Sequence, residues 1–390
     1  MKLLRHYIFL KDVFILSITA FGGPQAHLAL FFNLLVTKRR YLNEEELINL
    51  NSFCQILPGP ASTQTITAVG FKMGGPTLAF LTLLVWIFPA SAIMTLTALY
   101  ISYLQNESFS LEFTKYIQPM AVALVIYAAF KITTTVVNSR LGFFIYLLSI
   151  CLCFYVGSPA IFPIMLITGG VITSLKFNKE QKEEHGRLNI EWSNLVLYCA
   201  IFIGAALIGR LTHALPVRLF ENFFRNGSLI FGGGHTLSAL LYKEFVTFKE
   251  YLTAEEFLSG FAVSQILPGP LFSFSAFVGA MSMQDYGVNG QVIGAIVATA
   301  GIFLPGTILI FFVIRFWDRL KKYRIIKASL QGVNCASAGI VTTTAIMLFQ
   351  PLHGVLINYI IVIVTLLVLH FTKFPPPLII LVGLIAGFIF

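Results

Sequence analysis

The chain has 390 residues, of which 57% are hydrophobic and only 11% charged, with a mean hydropathy of +0.84 and a formal net charge of +9. A soluble domain carries about 25% charged residues, so the composition excludes one and places the chain in a lipid bilayer. The basic excess does not point to nucleic acid: Lys and Arg fall in short loops between apolar segments and never alternate with exposed aromatics, as positive-inside topology requires.

The N-terminal residues Lys2, Arg5, Lys11 and Asp12 precede a short apolar run with no small-residue cleavage site, so no cleaved signal peptide is expected. Four short segments follow. Leu10 to Phe21 and Gln25 to Thr37 flank the glycines of Phe21, Gly22, Gly23 and Pro24, and Glu44 to Leu57 and Ala61 to Lys72 flank Pro58, Gly59 and Pro60. Helices of about 13 residues reach only about 20 Å into a hydrocarbon core of roughly 30 Å. These segments are therefore expected to form re-entrant or broken helices, whose irregular backbone lines a cavity or is buried in protein. Longer apolar stretches at Thr77 to Tyr103, Ile117 to Val137, Leu141 to Val156 and Ala160 to Leu175 predict crossings, the first set starting at Gly75. A charged linker, Lys176 to Trp192, and an apolar segment, Asn194 to Leu211, come next.

The chain then repeats itself. The stretch from Phe21 to Met73 recurs without a gap from Phe231 to Met283, an offset of 210 residues, and Gln55 to Pro60 returns letter for letter as Gln265 to Pro270. Further crossings are expected at Gly290 to Ile314, Ala328 to Phe349, Val355 to Leu369 and Leu378 to Phe390. The segment from Asn194 to Leu211 has no counterpart in the first copy, and one unpaired crossing turns the second copy upside down. Charge agrees: Arg315, Arg319, Lys321, Lys322, Arg324 and Lys327 fill one loop, whereas the equivalent loop, Gln105 to Lys115, holds Lys115 with Glu107 and Glu112. The expected fold is an all-α polytopic membrane protein. Two inverted-topology repeats with broken or re-entrant helices, residues 1–175 and 213–390, are joined by residues 176–212, a cytoplasmic linker and an extra transmembrane helix. The N-terminus is expected on the cytoplasmic side.

Proline suits the first turn of a helix, so Pro60 and Pro270 can each start a half-helix whose free N–H groups and positive dipole end point into the middle of the membrane. Such an end binds anions. Ser62, Thr63 and Gln64, and in the second copy Ser273 and Ser275, can add neutral donors, while Gln55 and Gln265 lie on the other side of each break. The plainer alternative is that the prolines kink helices and the hydroxyls bond back to carbonyls. Gly22, Gly23, Gly232 and Gly233 permit close backbone approach or an unwound turn.

His27 and His235 do not align with each other and lack the clustering that a metal needs, so local hydrogen bonding is their default and proton coupling the sharper reading. Lys72 and Arg225 read as snorkelling cations or as a funnel that admits anions. Glu45 and Glu46 follow Asn43, and Glu255 and Glu256 follow Thr253, at capping distance; Glu244 and Glu256 are candidates for proton coupling. The five cysteines, Cys54, Cys151, Cys153, Cys199 and Cys335, read as buried apolar residues. No Walker loop, HExxH or GxSxG is present, so neither an enzyme nor a nucleotide-driven pump is expected, and no cofactor or metal.

At these motifs the sequence resembles the chromate ion transporter family. The resemblance rests on FGGPQAHLAL (Phe21 to Leu30), QILPGPASTQ with GFKMGG (Gln55 to Gly75), FGGGHTLSAL and YLTAEEFLSGFAVSQILPGP in the second half, and GIFLPG (Gly301 to Gly306). It covers both halves, as in the family's long two-domain members. It implies an inner-membrane carrier that exports chromate, confers chromate resistance, exploits the likeness of chromate to sulfate and draws on the proton motive force. Carried over by position, the family's motif residues are Phe21 to Pro24 and His27; Pro58, Gly59, Pro60 and Gln64; Gly232 and Gly233; and Glu256, Pro268, Gly269 and Pro270, with Lys72 at an often basic position. Phe272 and Phe274 replace Ser62 and Gln64 in the second copy, so the first breakpoint is expected to supply more polar contacts. The expected partners are chromate or a related oxyanion such as sulfate, protons and the bilayer, with a homodimer left open. A carrier of another small solute and a structural membrane protein are the competing readings.

Overall fold

A computed structural model describes residues 2–106, 114–156, 158–175, 192–231, 234–314, 324–372 and 374–389, and every regular element among them is helical. In chain order the helices are α1 (Lys2–Thr19), α2 (Gly23–Phe31), α3 (Glu44–Ile56), α4 (Ala61–Asn106), α5 (Ile117–Val136), α6 (Arg140–Tyr155), α7 (Ile161–Leu175), α8 (Ser193–Thr212), α9 (Leu215–Leu229), α10 (Gly234–Leu241), α11 (Ala254–Ile266), α12 (Phe274–Met281), α13 (Gly287–Val313), α14 (Arg324–Phe349), α15 (Leu356–Phe371) and α16 (Pro376–Ile389). Five helical stretches among the described residues are long and apolar enough to cross a membrane, and the protein is an all-α polytopic membrane protein.

The two sequence copies fold alike in local detail. Helices α2 and α10 run into π-helical segments, Phe32–Lys38 and Tyr242–Phe248. Two residues beyond each segment stands a residue with positive φ, Arg40 at 52° and Glu250 at 54°. Asn43 and Thr253 then cap α3 and α11: the backbone N–H of Glu46 donates to Asn43 Oδ1 at 2.8 Å and that of Glu256 to Thr253 Oγ1 at 3.2 Å, while each glutamate accepts from the backbone of its cap. The capping expected for Glu46 and Glu256 is what the structure contains.

Helix α4 is two helices end to end. Gly74 (φ −157°, ψ 22°) and Gly75 (φ 73°, ψ −165°) interrupt it, and Pro76 opens the second piece. The break leaves a half-helix from Ala61, as the spacing of glycine and proline predicts. Helix α1 differs from expectation. It begins at Lys2 and has 18 residues, and its counterpart α9 has 15. The apolar run alone understated α1, because the polar residues that open it extend one face of an amphipathic helix rather than ending it.

Two compact units can be separated, each drawing on both halves of the chain. One comprises residues 1–109, 191–233 and 263–315. Here α4 carries α1, α2 and α3, and α13 packs on α4, α8, α9 and α12. Buried Asp12 of α1 accepts from Arg39 Nη2 at 2.8 Å and from Tyr41 Oη at 2.7 Å, pinning α1 to the turn after α2. Burial first, then that hydrogen bond, pushes the Tyr41 phenol up to about 12, so it donates at any physiological pH. Helix α8, the segment without a counterpart, rests one face on α9 and α13 and leaves Val196, Leu197, Ile203, Leu207 and Ile208 exposed, as a lipid-facing surface requires.

The other unit comprises residues 110–190, 234–262 and 316–390. Helix α14 is its axis, packed against α5, α6, α7 and α10. At its crossing with α7 a methyl group on Gly169 would lie 2.6 Å from the carbonyl oxygen of Gly332, so only glycine allows the two backbones so close. Cys54, Cys153 and Cys335 are buried as expected, but Cys151 and Cys199 are exposed. In a membrane an apolar helix face need not turn toward protein, so apolar surroundings in sequence do not imply burial in the fold. The linker and loop charges that argue for inverted topology lie outside the described residues, Lys115, Arg324 and Lys327 excepted.

Gly332→Val overfills the α7–α14 crossing. It is expected to destabilise the protein by about 1–3 kcal/mol, read as a lower melting temperature in detergent micelles.

Candidate functional site

Both Pro-Gly-Pro breakpoints lie in the first unit. A break exposes backbone groups that water cannot reach at membrane depth, and each must find a partner. Gly59, at φ 115°, donates its N–H to the carbonyl of Ile230 at 2.8 Å; Gly269, at φ 100°, donates to the carbonyl of Ala20 at 2.8 Å. Gly269 is Gly59 shifted by 210 positions, and Ile230 is Ala20 shifted by the same 210. Each breakpoint is therefore tied to the residue that precedes the other copy's glycine pair. The exchange continues in the packing. A methyl on Gly59 would meet Gln64 Nε2 at 2.9 Å and Gly306 of α13 at 3.7 Å, and one on Gly269 would meet Ala90 of α4 at 3.3 Å.

At the first breakpoint the side chains of the opening turn of α4 are all engaged. Gln64 Nε2 donates to Pro58 O at 2.6 Å, closing the loop across Gly59, while its buried Oε1 has no partner. Ser62 Oγ lies 3.1 Å from His27 Nδ1, and His27 Nε2 lies 3.2 Å from Ala20 O. Trp86 donates its indole N–H to Thr63 Oγ1 at 3.1 Å and meets the His27 ring edge-on, centroids 5.5 Å apart. Ala20 O thus accepts from both His27 and Gly269, one carbonyl joining the two breakpoints.

The second breakpoint is built differently. A short 3-10 turn, Leu271–Ser273, precedes α12. The hydroxyls of Ser273 and Ser275 are buried and have no hydrogen-bond partner. A group of that kind costs roughly 1–3 kcal/mol unless something occupies it. The free space between Ala90, Met94, Pro270, Ser273 and Phe274 is only about 10 Å³, room for one water at most. A larger ligand needs the breakpoints to part.

A sequence model of the family described as "Chromate transporter" matches residues 8–175 and again residues 217–388. The chain belongs to the chromate transporter family. It is similar to a probable chromate transport protein of Synechococcus elongatus, 27% identical over all of this chain and 95% of the relative. Like similarity links it to a chromate transport protein of Pseudomonas aeruginosa, 26% identical over 86% of this chain and 79% of the relative, and to an uncharacterized transporter of Methanocaldococcus jannaschii, 24% identical over 96% and 92%. No solved structure matches. Membership supports transport as the role of this chain.

In this chromate transporter family member the remaining candidates are placed as follows. Gly22 (φ 93°) and Gly23 (φ 80°) adopt the left-handed turn that starts α2. Gln55 is exposed, and Gln265 donates to Ser264 at 3.4 Å, so the two amides do not act alike. Lys72 pairs with Glu46, and Arg225 bonds to Glu221 at 3.2 Å and Asn222 at 3.3 Å. Glu244 pairs with Lys249 at 3.0 Å in the second unit, and Glu256 serves its cap. Gly232, Gly233 and the His235 side chain lie outside the described residues. Three participants escaped sequence reasoning: Trp86 and the carbonyls of Ala20 and Ile230. The 210-residue offset holds for the carbonyls too, but nothing in a residue's name marks its main-chain oxygen.

Gly59→Ala places a side chain in the left-handed region against Gln64. It is expected to cost about 1–3 kcal/mol, whereas Gly204→Ala in α8, where a methyl meets nothing within 4 Å, leaves the melting temperature unchanged. The hydrogen bond from Lys72, and after it the one from the Asn43 backbone, hold the Glu46 carboxyl below its ordinary value of 4.5. That stabilisation is present above the ordinary value and is lost as pH falls through the depressed one. Wild type should therefore exceed Glu46→Gln in melting temperature at neutral pH, by no more than about 1 kcal/mol in stability for so exposed a pair. The gap should close in acid.

Proposed function

We propose that this protein is a secondary transporter of tetrahedral oxyanions, with chromate as its substrate, working in the plasma membrane and exporting the anion at the expense of the proton motive force. The relatives named chromate transport proteins support the substrate. The observation that carries the reading is the pair of main-chain-linked breakpoints. Each opens a helix whose first N–H groups lack intrahelical acceptors, and the second holds the unpartnered hydroxyls of Ser273 and Ser275.

A dianion entering a bilayer must exchange its water for other donors, because burying a charge without them is prohibitive. Helix N-termini and neutral hydroxyls supply such donors without a fixed countercharge that would trap the ion. Rotation of the Gln64 amide exchanges its bond to Pro58 O for one to an anion oxygen. Membrane potential supplies the outward drive: each charge is worth about 2.3 kcal/mol per 100 mV, so a dianion gains about 4.6 kcal/mol per 100 mV on leaving a negative interior. The reciprocal bonds between Gly59 and Ile230 and between Gly269 and Ala20 are what a two-fold relation between copies produces, and they support inverted repeats with the site between them. With the basic loop of the second copy on the inside, the N-terminus faces the cytoplasm.

The test is chromate flux in proteoliposomes under an imposed membrane potential and pH gradient, with sulfate as competitor. Wild type is expected to carry chromate. Gln64→Ala and the double variant Ser273→Ala/Ser275→Ala should each lose tenfold or more, since a charge-assisted hydrogen bond is worth about 1.5–3 kcal/mol. Equal flux of sulfate would make the protein a general dianion carrier. No flux of either anion from folded protein would overturn the reading.

A further inference from the structure

Among the described residues, His27 is the buried titratable side chain that touches a breakpoint directly. Its hydrogen bonds fix its tautomer. Ala20 O is a carbonyl and only accepts, so Nε2 carries a proton. In the neutral ring Nδ1 is then an acceptor, and Ser62 must spend its hydroxyl proton on it. Ser62 belongs to the opening turn of α4, where an anion would sit, yet in this state its one donor faces away into the imidazole.

We propose that His27 is a proton-binding site linked to the oxyanion site at the first breakpoint, an inference that rests on the transport reading above. A proton from water adds to the Nδ1 lone pair and forms an N–H bond, so Nδ1 changes from acceptor to donor. Ser62 Oγ then accepts from the ring, and its own O–H is released to turn toward the helix N-terminus. The imidazolium also makes the Nε2–H bond to Ala20 O charge-assisted, which strengthens such bonds about twofold. That carbonyl holds Gly269 N–H as well, so the second breakpoint shares the change. In return a bound dianion offsets the cost of a buried imidazolium, and linkage makes the two effects equal in size.

Among the described residues no other charge competes for this role at the ring. Helix α2 lies on α4, and the side chains that face His27 are Phe31, Ser62 and Trp86. On the surrounding elements, Asp12 is held by Arg39 and Tyr41, and Lys72 by Glu46. His6 lies against Gly74, and Arg5, Lys11 and Lys38 are exposed. Near the second breakpoint Ser264 and Ser273 are the polar neighbours of Gly269, and neither titrates in the physiological range. The proton travels with the anion, so each dianion moves one net negative charge. Membrane potential still drives it outward, while the pH gradient opposes it.

The experiment is equilibrium binding of labelled chromate to the purified full-length protein between about pH 5.5 and 8, the range in which a histidine titrates. Concentrations are expressed as the dianion, because chromate itself protonates in this range. Wild-type affinity is expected to rise at least about fivefold as pH falls, the lower end of ordinary coupling. His27→Gln keeps a donor for Ala20 O and an acceptor for Ser62 but cannot charge, so it should hold the weak, high-pH affinity throughout. Ser62→Ala should bind more weakly and keep only a reduced pH dependence, because the imidazolium charge remains but the released hydroxyl does not. A wild-type affinity indifferent to pH, or a His27→Gln protein that keeps the full dependence, would overturn the proposal. Should His27→Gln fail to fold, an intact pH dependence in Ser62→Ala would do the same. Absence of binding at every pH in wild type would overturn the oxyanion reading first, and is thereby told apart from binding that ignores protons.

Discussion

A helix that stops inside a membrane leaves peptide groups where no water can reach them, and this chain depends on how it meets that constraint. Gly59 and Gly269 each stand in the left-handed region, where the chain can turn sharply without a Cβ clash, and each sends its N–H to a carbonyl before the other copy's glycine pair. Neither glycine N–H is satisfied within its own copy. The half-helix from Ala61, the turn at Leu271–Ser273 and the entry of α2 are arranged around that exchange. So are α13 and α4, since Gly306 and Ala90 are the small residues that let the breakpoints approach.

On this common frame the side chains divide the work unequally. At the first breakpoint Ser62, Thr63 and the Gln64 amide nitrogen are tied to His27, Trp86 and Pro58, and Gln64 Oε1 alone of these is without a partner. The second carries Phe272 and Phe274 in place of Ser62 and Gln64, and offers hydroxyls one residue further along, at Ser273 and Ser275, with no partner. One half holds its donors in a network that can be rearranged, and the other holds them idle. An arrangement in which all were idle would be costly to fold, and one in which all were bound would have nothing to offer a ligand.

Much of this was legible in the sequence. Proline and glycine mark the breaks because their backbone preferences are local, and the repeat offset pairs them without any structure; Gly75, the capping glutamates and the half-helix from Ala61 were all readable for that reason. Trp86 was not, because a tryptophan in the middle of a long apolar helix has no neighbour in sequence to signal that its N–H reaches Thr63. The length of α1 was not legible, since hydropathy sees composition and not the face on which polar residues fall. Cys151 and Cys199 were misplaced because lipid and protein interior look alike to an apolar side chain. Lys72 and Arg225 showed their charge but not their partners, which come from α3 and from one turn earlier in α9.

The exchange at the breakpoints is written entirely in main-chain atoms. A bond between a peptide N–H and a peptide carbonyl is blind to most substitutions around it, so after duplication the two halves could drift apart in side chains while their junction stayed intact. Serine could become phenylalanine at one break and not at the other. A symmetric main-chain skeleton thus lets the side chains of one copy serve a different task from those of the other.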